Sequence, residues 1–169
     1  RKKLNLDERQ SNDSIIKERK LSSIESIPGA KNEFLIKVWN QLSNAYFSKY
    51  QIQQLSDQAK TIASSEGKTS ILIKSRKNLI EIFIFTPNQP GLFFKTVQSF
   101  EHLSIETIDS DIHTTDDGLY ALNTFICRHK ILGGNLIQRD IQNIQKKIIA
   151  AIDSENPKSV TKAKPKTKK

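Results

Sequence analysis

Glu81-Ile82-Phe83-Ile84-Phe85-Thr86-Pro87-Asn88-Gln89-Pro90-Gly91-Leu92-Phe93 carries an alternating apolar strand through a Pro-Asn-Gln-Pro-Gly corner into an amphipathic helix. Period-2 alternation predicts a strand with Ile80, Ile82 and Ile84 on one face and Glu81, Phe83 and Phe85 on the other. Glycine at the end of the corner lets a ligand approach bare backbone, and the helix start behind it offers free N–H groups and a positive dipole end. Such a corner can hold the carboxylate of a small metabolite without any catalytic residue. It points to sensing.

Working outward, Ser70–Ser75 is predicted as a short strand, Arg76-Lys77-Asn78 as a connector and Leu79–Phe85 as its hairpin partner. Beyond the corner, Leu92, Phe93, Val97, Phe100 and Leu103 mark a helix from Gly91 to about His102. Ile105–His113 and Leu119–Arg128 read as two strands around the turn Thr114–Gly118, whose Asp117-Gly118 is a strong hairpin signal. After the loop at Gly133-Gly134, Leu136, Ile137, Ile141, Ile144, Ile148 and Ile152 line the inner side of a helix over 135–152.

The order β-β-α-β-β-α predicts an α+β fold, a two-layer sandwich with two helices on a mainly antiparallel sheet. Its other sheet face is expected to carry Glu81, Phe83, Phe85, Phe125 and Cys127, too apolar to leave wet. A second copy or another domain is expected to cover it, contributing roughly 25 cal/mol per Å² removed from water.

Upstream, a thin apolar stripe suggests a helix over 7–25, ended by Pro28-Gly29. Phe34, Leu35, Val38, Trp39 and Leu42 mark a second helix over 32–44, Tyr46-Phe47 fall in a connector, and a third helix spans 50–65 before Gly67. The expected divisions are a helical arm over 1–30, a helical connector over 31–67, the sandwich over 68–152 and a disordered basic linker over 153–169.

Composition narrows the classes. Hydrophobic residues make up 36% of the 169, and residues 1–3 and 153–169 contribute +3 and +4 of the net charge of +9. The basic character therefore belongs to the ends. No apolar run is long enough for a membrane span, and the single cysteine, Cys127, excludes an internal disulfide, so a cytoplasmic setting is expected. The chain opens on Arg1 and holds no methionine, and it reads as a slice of a longer protein.

Residues 84–93 resemble the first-strand corner of an ACT domain, a regulatory module that binds amino acids. Asp109-Ser110-Asp111-Ile112-His113-Thr114-Thr115, Asp117-Gly118 and Tyr120-Ala121-Leu122-Asn123-Thr124-Phe125 sharpen the resemblance. With these, residues 34–152 resemble the region around the first ACT domain of the bacterial bifunctional uridylyltransferase/uridylyl-removing enzymes. Val38-Trp39-Asn40-Gln41-Leu42 and Tyr46-Phe47 resemble the helical segment preceding it.

That resemblance implies a ferredoxin-like ACT fold and glutamine as effector. The implied parent is a nucleotidyltransferase and phosphodiesterase that uses Mg and UTP and acts on the nitrogen regulatory protein P-II. No catalytic motif of that parent stands in this chain, and its three histidines, His102, His113 and His129, are scattered. No cofactor, metal ligand or catalytic residue is therefore expected here. Asn123 stands where the family usually has Asp, and Asp111 where it usually has Arg. The family also ends its unit with a strand after the second helix; Ser70–Ser75 is expected to fill that position instead.

The candidate ligand-binding residues are Asn88, Gln89, Pro90, Gly91, Leu92 and Asp109. Asn88 and Gln89 would supply amide contacts, the backbone after Pro90 free N–H groups, and Asp109 a partner for a ligand's ammonium group. The plain alternatives are a well-formed turn for the corner and a solvated strand edge for Asp109 and Asp111. Two other functional readings stay open: an ACT module of another enzyme of amino-acid metabolism, and a basic-tailed nucleic-acid-binding module. The tail lacks an aromatic residue to stack on bases, so no nucleic-acid partner is expected.

Overall fold

Two hairpins make the sheet. In a computed structural model, β1 (Ser70–Arg76) and β2 (Leu79–Pro87) join through Lys77-Asn78, with Lys77 at φ 43°. The strands β3 (Ile105–Thr114) and β4 (Tyr120–His129) flank the second turn. The four form one antiparallel sheet in the order β1-β2-β4-β3. The fold is α+β and ferredoxin-like, with α5 (Leu92–His102) connecting β2 to β3 and α6 (Gln138–Asp153) following β4. β1 takes the edge beside β2, the position the sequence assigns to it in place of a strand after α6. The backbone is described for residues 2–27 and 29–154, and side chains for 12–27 and 33–154. From Glu155 on, the expected basic linker lies outside the described residues.

Among the described residues four helices precede the sheet: α1 (Lys2–Ile24), α2 (Gly29–Trp39), α3 (Asn44–Lys49) and α4 (Ile52–Ser65). The connector expected at Tyr46-Phe47 is helical instead. Ser43, at ψ 158°, restarts the chain into α3, whose single pair of aromatic residues is fully buried. α4 ends as the sequence suggests, with Glu66 and Gly67 in the left-handed region at φ 55° and 76°. Downstream, α6 begins at Gln138 rather than Asn135. The Ile137 N–H donates to Asp140 Oδ2 at 3.1 Å and the Ile137 side chain faces out, 57% exposed.

By its contacts the chain divides into two compact units. One comprises the chain as far as Leu72, with 83–87 and 112–123. Its core centres on Leu35, Trp39, Tyr46, Phe47, Leu55 and Ile62, and Phe83, Phe85 and Leu122 belong to the same cluster. Two polar ends find partners within it: Trp39 Nε1 donates to Ser23 Oγ at 2.9 Å, and Arg19 donates to the carbonyls of Phe47 and Tyr50. Phe83 and Phe85 are 1% and 0% exposed, so the cover expected from a second copy or another domain is supplied there by the chain's own helical residues. Each such burial contributes about 1.5–3 kcal/mol.

The second unit comprises 73–82, 88–111 and, among the described residues, 124–154. Here Phe125 meets the rings of Phe100 (centroids 5.0 Å apart) and Phe93 (6.2 Å), both on α5. In β4 successive side chains alternate between faces, so Phe125 and Cys127 lie on the face opposite Tyr120 and Leu122. Since Tyr120 stacks on Phe85 at 5.1 Å, the expected grouping of Phe125 and Cys127 with Phe83 and Phe85 is corrected. The strand is apolar on both faces, which hides its register.

Candidate functional site

The corner after β2 is built as a tight turn. Leu92 N–H donates to the Gln89 carbonyl at 3.3 Å, and Lys95 N–H to the Gly91 carbonyl at 3.0 Å. Gly91 sits at φ 74°, left-handed backbone that only glycine adopts at little cost, and a Cβ added there would meet nothing within 4 Å. Pro90 and Asn88 are exposed, while Leu92 is buried at 7%. Space beside a bare backbone is therefore present at Gly91.

Gln89 points another way. Its Nε2 donates to the Ile152 carbonyl at 3.0 Å, and its Oε1 accepts from Lys95 Nζ at 2.7 Å. Lys95 also donates to the carbonyls of Ser154 at 2.6 Å and Ile152 at 3.4 Å. The lysine is 6% exposed and these three partners are neutral oxygens. Helix geometry explains how it gets there: side chains on α5 lean toward its N-terminus, so the fourth residue of the helix reaches back beside the corner. Its carbonyl partners belong to the C-terminal end of α6, where the last helical C=O groups lack helical donors and the dipole favours a cation.

Asp109 lies apart from this cluster. It is on β3, and β4 stands between β3 and β2. Its Oδ1 accepts from the Ser110 N–H at 2.9 Å, and its side chain is exposed. The structure brings Gln89, Gly91 and Leu92 together at the corner and leaves Asp109 on the far strand. His113 places its ring edge-on to Tyr46, centroids 4.8 Å apart.

Three residues to which the sequence reading gave no role hold the loops. Lys95 is one. Gln41 accepts from Asp117 N–H through Oε1 (2.8 Å) and from Asp116 N–H through its carbonyl (3.2 Å), tying the β3–β4 turn to the end of α2. In that turn Asp117 Oδ1 accepts from Leu119 N–H and the Thr115 hydroxyl, and these bonds hold its carboxyl below the usual carboxylate range. His129 Nδ1 accepts from the N–H groups of Ile131 and Leu132 at 3.2 and 3.1 Å. Only Gln41 stood in a motif the sequence reading had singled out. Burial pushes the Cys127 thiol up to about 12, against a partial lowering by its hydrogen bond with Thr107.

Among the described residues no group of three His, Cys, Asp or Glu side chains could hold a metal ion. No helix among them is long and apolar enough to cross a membrane.

Comparison with curated proteins finds distant relatives, three of which share one name. The chain is 23% identical over 92 residues to the bifunctional uridylyltransferase/uridylyl-removing enzyme of Thiobacillus denitrificans, covering 52% of this chain and 11% of that protein. It is 25% identical over 122 residues to the enzyme of that name from Acinetobacter baylyi, covering 66% and 13%. The Vibrio campbellii enzyme gives 26% over 93 residues, 53% and 10%. The chain thus spans about a tenth of the length of the curated relatives it matches. No family model and no solved structure matches it.

Proposed function

We propose that this chain is a regulatory piece of a bifunctional uridylyltransferase/uridylyl-removing enzyme, an ACT domain that senses glutamine. Bound glutamine shifts the parent between attaching uridylyl groups to P-II and removing them. The observation that carries the reading is the match to enzymes of that name, 23–26% identical over 92 to 122 residues. The ferredoxin-like sheet and the open backbone at Gly91 agree with it.

In this reading the ligand's carboxylate lies against the start of α5, where the helix dipole contributes about 0.3–1 kcal/mol when exposed and up to ~2 when partly buried. Differential affinity for two arrangements of the parent is all the regulation requires. UTP, magnesium and P-II belong to the parent's catalytic parts, a second ACT unit is a further packing partner, and the setting is cytoplasmic.

Titration calorimetry of the chain with glutamine and with glutamate tests the proposal. Glutamine is expected to bind, glutamate more weakly, and Gly91→Val to abolish glutamine binding while the far-UV spectrum persists. Binding unchanged in that variant excludes the corner, and absence of glutamine binding to the unsubstituted chain removes the sensing role from this unit.

A further inference from the structure

The cluster beneath the corner has a polarity of its own. Lys95 Nζ donates to an amide oxygen at 2.7 Å, and the Ile152 carbonyl accepts from the same amide's nitrogen at 3.0 Å. Lys95 is 6% exposed, whereas Gln89 is only half-buried, so the group filling the space is the one nearest solvent. We propose that Lys95 and the Ile152 carbonyl form a socket that reads a primary carboxamide. Gln89 fills it as an internal occupant, and a carboxamide-bearing amino acid enters by displacing Gln89. This deepens, and rests on, the reading of the corner as an amino-acid sensor.

The socket discriminates by its second contact. A carboxamide supplies both the acceptor that Lys95 needs and the donor that the Ile152 carbonyl needs. A carboxylate supplies only the acceptor: its other oxygen would face the Ile152 carbonyl at the negative end of α6. Sites built to pair a substrate N–H discriminate strongly against analogues that lack it, because a buried polar group is then left unpaired. Gln89 also explains how Lys95 stays buried, since its amide oxygen completes the ammonium's set of acceptors.

Gln89→Ala in the 169-residue chain empties the socket without touching Lys95. Its melting midpoint is expected to fall. Acetamide, at a concentration that leaves the unsubstituted chain unmoved, is expected to restore part of the loss, and acetate to restore none. Glutamine is expected to bind this variant at least tenfold more tightly than it binds the unsubstituted chain. Lys95→Met combined with Gln89→Ala is expected to lose the acetamide response.

Equal responses to acetamide and acetate, or glutamine binding that is measurable in the unsubstituted chain and no tighter in Gln89→Ala, overturn the socket. If Gln89→Ala does not fold, exchange of the Gln89 side-chain amide protons in the unsubstituted chain decides. Exchange accelerated by acetamide but not by acetate supports displacement, and protection unaltered by acetamide refutes it. The two readings separate cleanly. Acetamide rescue with no glutamine binding keeps the socket and removes glutamine sensing; equal glutamine binding to both chains keeps sensing and removes the socket.

Discussion

Gly134→Ala tests the construction of the second unit, because two known effects pull in opposite directions. Replacing a loop glycine by alanine ordinarily stabilises by about 0.4–1 kcal/mol through the unfolded chain. At Gly134 the added Cβ would lie 2.3 Å from the Lys77 carbonyl oxygen, 2.6 Å from Leu79 N and 2.8 Å from the Asn78 carbonyl carbon. Real Cβ contacts essentially never fall under 3.0 Å, so the β1–β2 turn must retreat by at least 0.7 Å, the difference between 3.0 and 2.3 Å. All three neighbours are backbone and cannot swing aside as a side chain would. Overpacking of this kind costs about 1–3 kcal/mol, and rigid neighbours place it in the upper half. The clash wins, with a net loss of about 2 kcal/mol. Urea unfolding is expected to show a lower midpoint at unchanged slope, and thermal melting a fall of about 4–8 °C for a chain this size. Stability equal to or above that of the unsubstituted chain would refute the placement of this loop against the turn.

Two further expectations follow from burial. Phe85→Ala removes a fully buried ring that stacks on Tyr120 at 5.1 Å and meets Phe34 edge-on at 6.0 Å. Urea unfolding should show a loss of about 3–5 kcal/mol, and a loss below about 1 would contradict the shared cluster. Cys127, raised from 9.0 to about 12, contributes stability that is present below pH 9 and lost as pH rises from there to about 12. The unfolded thiol releases its proton first, so this group weakens the fold by about 1.4 kcal/mol per pH unit in that window. Comparing the alkaline limbs of the chain and its Cys127→Ala variant isolates the effect; coincident limbs would show that the thiol is not shielded.

How much the sequence disclosed varies with the physics of each segment. Alternation in Leu79–Phe85 and the Asp-Gly turn are local signals that made the two hairpins legible, and the spacing of apolar residues did the same for both sandwich helices. The register of β4 was not, because Ala121, Leu122, Asn123, Thr124 and Phe125 are all buried and no alternation survives when both faces are covered. α3 escaped because six residues are too few to display a period, although Tyr46 and Phe47 are its anchors. At the corner, the glycine was readable from its neighbours alone. Lys95 was not: a lysine on an amphipathic helix reads as solvated, and its burial is set by carbonyls 57 and 59 residues away. Gln89 was assigned outward for the same reason.

Trp39 gives this chain an optical asymmetry. It is the single tryptophan, 2% exposed, wedged against Phe47 with its indole N–H held by Ser23. Intrinsic emission excited in the indole band therefore originates at one spot among the first helices, and its shift to the red on denaturation reports that neighbourhood alone. Circular dichroism samples every helix and strand at once. Superimposing the two curves tells one cooperative transition from two, with no label attached.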